Sequence, residues 1–252
     1  MNTSSNIEII REAYPWGRAY IVKGVSDTPL ILPSVTTILK LVKIDKYEKL
    51  QKQFTKERWD KILSDAADRG NVLHRMLELF LLEWAKEKDV ERSLKKAQIY
   101  AIEASREDGG INAKAVEKGR NLFWNFYHDK FWEAIDEVVD NEAFLYTTFQ
   151  GGWAGATDFV FRDYDKRLIV DDFKSASAPK DEDDILAYKL QITAYMFMCA
   201  EKYKEVPKMG RIRISNEQTN DLQTFIVHDY EMKEYLKKFL DLLKEFRKIN
   251  NL

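Results

Sequence analysis

The sequence predicts an α/β (α+β) protein, with a central mixed β-sheet flanked by helices and a helical part ahead of it. Three observations predict it. Apolar residues recur at steps of three and four over 60–88, and again along 112–138 and 230–249, the period of an α-helix. Runs of β-prone residues bounded by turn residues cluster in 142–174 and 211–227. No internal repeat, low-complexity tract or long linker divides the 252 residues, so a single domain with a sizeable core is expected.

Taken in order, residues 6–32 alternate loosely around a Pro15-Trp16-Gly17 turn and read as a small hairpin. Pro33-Ser34-Val35-Thr36 follows, and Ser34 or Thr36 suits a helix N-cap. The same hydroxyls at a helix start can hold a phosphate. Residues 40–61 carry seven lysines at near-helical spacing, interspersed with acids. A solvated helix face explains them, and with Phe54 and Trp59 so does a track along a nucleic-acid backbone.

The helix over 60–88 places Leu63, Ala66, Ala67, Leu73, Leu77 and Phe80 on one stripe. Gly70 interrupts it and suggests close approach of another backbone. His74 and Glu78, four apart, share a face beside that stripe. A charged helix spans 90–111, ending at Gly109-Gly110. The next, 112–138, carries Phe123, Trp124, Tyr127, Phe131 and Trp132, which read as core packing, with His128 within it or at its edge.

Glu142–Phe149 is expected as the first strand of the sheet. Trp153–Phe161 and Leu168–Lys174 flank a polar turn and form a hairpin. A helix over Asp184–Lys202 follows, then a second hairpin, Arg211–Ser215 with Leu222–Val227. Tyr230–Ile249 closes the chain as an amphipathic helix.

Composition narrows the function. A net charge of −2 gives no global pull toward nucleic acid, although a carboxylate-rich metal site with a local basic surface remains compatible with it. Cys199 is the single cysteine, which excludes a disulfide framework and a cysteine-rich zinc or iron–sulfur site. The sequence shows no signal-like amino terminus and no run able to span a bilayer, so an intracellular, cytoplasmic protein without membrane contact is expected.

The chemistry concentrates in the central hairpin. Asp158 lies in its first strand, and Asp171, Asp172 and Lys174 end its second. Residues two apart on a strand share a face, so Asp172 and Lys174 point together while Asp171 points away. A carboxylate beside an ammonium at an apolar strand end is costly unless paired or metal-bound. Asp158 and Asp172, on adjacent strands, can face each other. Hard oxygen donors with one imidazole suit Mg²⁺ or Mn²⁺ better than zinc. The bland alternative is a structural Asp172–Lys174 salt bridge with Asp158 in a turn.

The pattern Gly155-x-x-Asp158, a turn, then Asp172-x-Lys174 resembles the core of the PD-(D/E)XK nucleases. Gln191-x-x-x-Tyr195 on the following helix resembles the extra motif of their RecB-like branch, and Gly70-x-x-x-His74 resembles that branch's metal-binding histidine motif. Pro33-Ser34-Val35-Thr36 is similar to the start of phage exonucleases and of the mitochondrial genome-maintenance exonuclease. The resemblance covers about residues 30–230.

It implies a restriction-endonuclease-like core, divided as an N-terminal hairpin (1–33), a helical part (34–138), a catalytic core (139–230) and a C-terminal helix (231–252). His74, Asp158 and Asp172, with Glu142 less closely matched, would bind Mg²⁺ or Mn²⁺. Lys174 would be the catalytic lysine, and Gln191 and Tyr195 would orient the site or contact DNA. Ser34 and Thr36 join Lys174, Gln191 and Tyr195 as expected DNA contacts. The implied activity is metal-dependent DNA exonuclease action on ends or single strands, in phage or bacterial recombination or repair, without an iron–sulfur cluster. No helicase motif is present, so unwinding would come from a recombination or helicase partner. A structure-specific endonuclease and an inactive DNA-end binding module are the alternatives.

Overall fold

Two sheets, in strand orders β1-β2-β3 and β4-β5-β6-β7-β8, organise the computed structural model, which describes residues 7–105 and 111–252. The first is a meander of β1 (Glu8–Tyr14), β2 (Gly17–Lys23) and β3 (Leu30–Pro33). The expected hairpin therefore gains a third strand. Leu30 and Leu32 pair opposite Val22 and Tyr20, and Tyr20, Val22 and Leu32 bury against Ala154 of the larger sheet. Gly17 turns the first hairpin at φ +128°, where a Cβ would meet Thr37 Cγ2 at 2.5 Å.

Ser34 caps α1 (Val35–Ile38) by accepting the Thr37 N–H. A 3₁₀ turn (Leu39–Lys43) and α2 (Ile44–Gln51) follow. The lysine-rich stretch is thus not one helix. Thr55 starts a new one, accepting the Arg58 N–H at 3.3 Å, and α3 runs from Lys56 to Glu87. Helix α4 (Val90–Ala104) is capped by Asp89. The Gly109-Gly110 stop expected for it lies outside the described residues.

The aromatic helix α5 (Ala113–Asp129) is shorter than 112–138. Lys130 takes a left-handed conformation at φ 59°, and the Trp132 indole donates to Tyr127 O, which folds Phe131–Ala134 back as a 3₁₀ turn. Strand β4 then begins at Ile135 instead of Glu142, inside the stretch read as helical, and ends at Thr147. Pairing with β5 (Trp153–Asp163) overrides the local helical period there. Strand β6 (Leu168–Ala176) is antiparallel to β5 and parallel to β7 (Met209–Asn216), reached through α6 (Glu182–Tyr203). Strand β8 (Leu222–His228) forms the far edge and α7 (Met232–Asn250) closes the chain. This is the mixed sheet with flanking helices that the sequence predicts.

Helices cover both faces. On one, Trp153, Met196, Ile212 and Phe239 join α6 and α7 to the sheet. On the other, Phe80, Phe123, Phe126, Phe159 and Phe173 join α3 and α5 to it. Phe80 meets Phe123 edge-on at 5.8 Å, so the aromatic stripe of α5 is core, as its period implies. The close helix approach occurs at Gly119, where a Cβ would meet Val72 at 2.7 Å, and not at Gly70. Among the described residues no helix is long and apolar enough to cross a membrane.

One buried charge cluster ties β6 to β7. Asp171 is fully buried and accepts from Arg211 Nε at 2.6 Å and Nη2 at 2.8 Å, the register setting the two residues opposite each other. Arg213, two residues on, shares the face and bridges Asp171 to Asp129. Breaking such a pair leaves uncompensated charge at about 3–5 kcal/mol. Asp171→Asn is expected to lower unfolding stability by that amount in urea titration, with little change in m-value.

Candidate active site

Pairing between β5 and β6 runs only as far as Phe159 opposite Asp171. Beyond that pair the ladder stops, and Asp158 occupies the gap. Its Oδ2 accepts the Phe173 N–H at 2.5 Å, replacing the missing ladder bond. Its Oδ1 accepts from His74 Nδ1 at 3.1 Å, brought in by α3. Glu142 comes from β4. The register, with Asn141 opposite Phe159 and Ala143 opposite Thr157, sets it across from Asp158. Ligand atoms of His74, Glu142 and Asp158 lie within 4.8 Å of one another.

Asp172 stands beside this group and not in it. Its Oδ2 is ion-paired with Lys174 Nζ and accepts from Gln191 Nε2 at 3.2 Å. Gln191 Nε2 also reaches Tyr195 Oη at 3.3 Å. Asp172 is 2 % exposed, whereas the side chains of His74 and Lys174 remain 29 % and 25 % exposed. The site is therefore closed behind and open in front. A cleft of about 440 Å³ lies before it, lined by Gly70, Asn71, His74, Arg75, Glu78 and Glu142 among others. The two motif glycines have different tasks. A Cβ at Gly155 would strike the Tyr195 ring at 2.7 Å, while one at Gly70 would meet only Ser175 Oγ at 3.6 Å.

The charges are mutually dependent. Partial burial of its carboxyl, then repulsion by Asp158, pushes Glu142 up to about 7, although the residue as a whole is exposed. Burial pushes Asp172 up to about 6, against the pull of Lys174. Burial also opposes charge on Asp158, but His74 and Lys174 outweigh it and hold that carboxyl below its ordinary value. His74 and Lys174 are desolvated, yet Asp158 and Asp172 respectively hold their protons on more firmly than usual. The cluster thus has excess carboxylate, an imidazole that releases its proton less readily than usual, and raised acids. That donor set, with one imidazole and hard oxygens, fits a divalent cation of the Mg²⁺ or Mn²⁺ type.

The other expected contacts lie apart from the cluster. Ser34 is 2 % exposed and spends its hydroxyl on Thr37, so the free phosphate-binding hydroxyl expected there is absent. Its bridge to Ala154 leaves it four residues along β5 from Asp158, about 13 Å at strand rise. Thr36 is exposed and bonded to Ser34 at 3.1 Å. Of the lysine run, Lys43 and Lys46 are ion-paired with Asp184, and Lys46 also with Asp181, at the start of α6. Trp59 is buried and stacks on Phe54. Sequence reasoning missed Asn141, whose side chain bonds Glu78 at 3.2 Å beside the cluster. It lies just ahead of the strand expected from Glu142, so no pattern in the sequence marked it.

A family model described as the PD-(D/E)XK nuclease superfamily matches residues 46–251. A solved structure of a presumed exonuclease from Eubacterium rectale aligns with a TM-score of 0.51 at 16 % identity, covering 87 % of this chain and 81 % of that one. A likeness at that identity speaks to the fold. The structure of SSO0001 gives a TM-score of 0.37 at 12 % identity over 69 % of this chain and 74 % of that chain, too remote to argue from. No curated protein sequence matches significantly.

Since Asp158 contributes to the raised value of Glu142, neutralising it has a defined sign. In metal-free protein, carboxyl NMR is expected to show Glu142 titrating near 7, and Asp158→Asn to move that midpoint down toward the ordinary glutamate range.

Proposed function

Because the chain belongs to the PD-(D/E)XK nuclease superfamily, we propose that it is a metal-dependent deoxyribonuclease that hydrolyses phosphodiester bonds from DNA ends. The observation that carries this is the convergence of His74, Glu142 and Asp158, from α3, β4 and β5, beside the Asp172–Lys174 pair at an open cleft. The name of the Eubacterium rectale neighbour favours an exonuclease over an endonuclease. The RecB-like order of motifs supports a setting in phage or bacterial recombination or repair, with residues 1–252 acting as one nuclease domain.

His74, Glu142 and Asp158 would hold Mg²⁺ or Mn²⁺, with Asp172 adjoining. When bound, such a cation supplies Lewis-acid polarisation of phosphate and a more acidic water. The remaining roles fall to this chain's residues. Lys174, kept charged by Asp172, donates from Nζ to the attacking water or to a non-bridging phosphate oxygen as charge builds there. Gln191 fixes the Asp172 carboxylate through one amide hydrogen and the Tyr195 hydroxyl through the other. Tyr195 keeps its proton, held by burial, and its ring closes the back of the site against Gly155. Any proton on Glu142 or His74 must leave before a cation takes the lone pair it occupies.

With Mg²⁺ or Mn²⁺ the protein is expected to release nucleotides from end-labelled linear DNA and to spare circular single-stranded DNA. Lys174→Ala and Asp172→Asn should each lower kcat at least about 100-fold; three equal activities would remove the assignment. Cutting of the circle would make it an endonuclease, and metal-indifferent DNA retention without cleavage would make it a binding module. Mn²⁺ affinity, measured by calorimetry, should weaken at least about tenfold from pH 8 to pH 6, because Glu142, at about 7, is ionised at the first and mostly protonated at the second, and protonation of His74 acts in the same direction.

A further inference from the structure

Glu142 is the one member of the triad whose backbone is unusual. Its φ is +49°, a left-handed conformation that a glutamate rarely adopts, in the middle of β4. Such a residue costs about 1–3 kcal/mol unless its surroundings enforce it. The consequence is visible in the neighbours. Regular strand residues alternate between faces. Asp140 obeys, turning to α6, where its Oδ2 accepts from Lys202 Nζ and from Tyr203 Oη, each at 2.8 Å. Asn141 turns the other way, and its Nδ2 donates to Glu78 Oε1 on α3 at 3.2 Å. Glu142 would then be due to turn back toward α6. Instead it joins His74 and Asp158 in the cleft lined by α3. Two successive side chains thus address α3, at Glu78 and at His74, which lie one helical turn apart. The left-handed residue makes that possible.

Glu78 is itself fixed, because its second oxygen accepts from Arg75 Nη1 at 2.6 Å. Asn141 is fixed from behind by Asp140, whose Oδ1 accepts its N–H at 2.9 Å. A chain of contacts therefore runs from Tyr203 on α6 through Asp140 and Asn141 to Glu78 on α3, and it fixes the backbone directly ahead of the strained residue. We propose that the Asn141–Glu78 hydrogen bond is the clamp that holds Glu142 in its left-handed conformation and so positions its carboxylate for a divalent cation. Glu78 and Asn141 are positioning residues in this scheme, not ligands. The inference rests on the reading of His74, Glu142 and Asp158 as a cation site.

The test is Mn²⁺ affinity, read from the electron paramagnetic resonance signal of free Mn²⁺, with circular dichroism to confirm folding. Loss of an outer partner that orients a ligand typically weakens metal affinity 10–100-fold. Glu78→Leu and Asn141→Ala are each expected to weaken Mn²⁺ binding about tenfold or more. Glu78→Gln, which keeps an acceptor oxygen for Asn141, should stay within about threefold of the parent. The double variant Glu78→Leu/Asn141→Ala should be no worse than either single one, because both remove one contact. Glu78→Gln falling as far as Glu78→Leu would overturn the clamp, since the carboxylate charge would then be what matters. Unaltered affinity in Asn141→Ala would also overturn it, independently of how well the Glu78 variants fold. A parent protein that binds no Mn²⁺, with Glu142→Gln indistinguishable from it, would instead overturn the cation site itself.

Discussion

The place where β5 and β6 part organises this protein. A ladder that stops inside a sheet leaves a backbone N–H without its partner, and a buried one is expensive. Here the Phe173 N–H is met by the Asp158 carboxylate. That contact anchors an anion in the gap, where His74 from α3 meets it, while strand alternation alone sets Asp172 beside the Lys174 ammonium.

Adjacent acids on β6 show how strand geometry assigns different fates to like residues. Asp171 faces Arg211 and Arg213, is fully buried, and links β6 to β7. Asp172, one residue on, faces Lys174 and Gln191 at the buried back of the site. The first arrangement is saturated with donors and closed. The second keeps raised acids and a partly exposed ammonium near open space, the condition in which a cation or an anionic substrate gains most from binding. Structural and chemical charge are thus separated by the thickness of one sheet.

Much of this was legible in the chain itself. Period-two and period-3.6 patterns located β5, β6, α6 and α7, because each buries one face against neighbours that its own sequence anticipates. The alternation that separates Asp171 from Asp172 is a property of any strand. The four-residue step of Gln191 and Tyr195 is a property of any helix, and the two side chains do meet. The aromatic stripe of α5 likewise announced a core.

What the sequence could not decide required contacts between distant segments. The stretch after Asp129 has a helical pattern, but pairing with β5 makes it strand from Ile135 onward. Ser34 looks free in one dimension and is buried by its neighbours in three. Gly70 and Gly119 are alike on paper, and only the approach of α5 to α3 makes the second one obligatory. Glu142 enters the cluster because a left-handed residue breaks the alternation of β4, which no local pattern encodes. Short-range periodicity fixes which way a side chain points along its own element. Where elements part, kink or cross is set by the packing of the whole sheet and its helices, and that is where this protein keeps its chemistry.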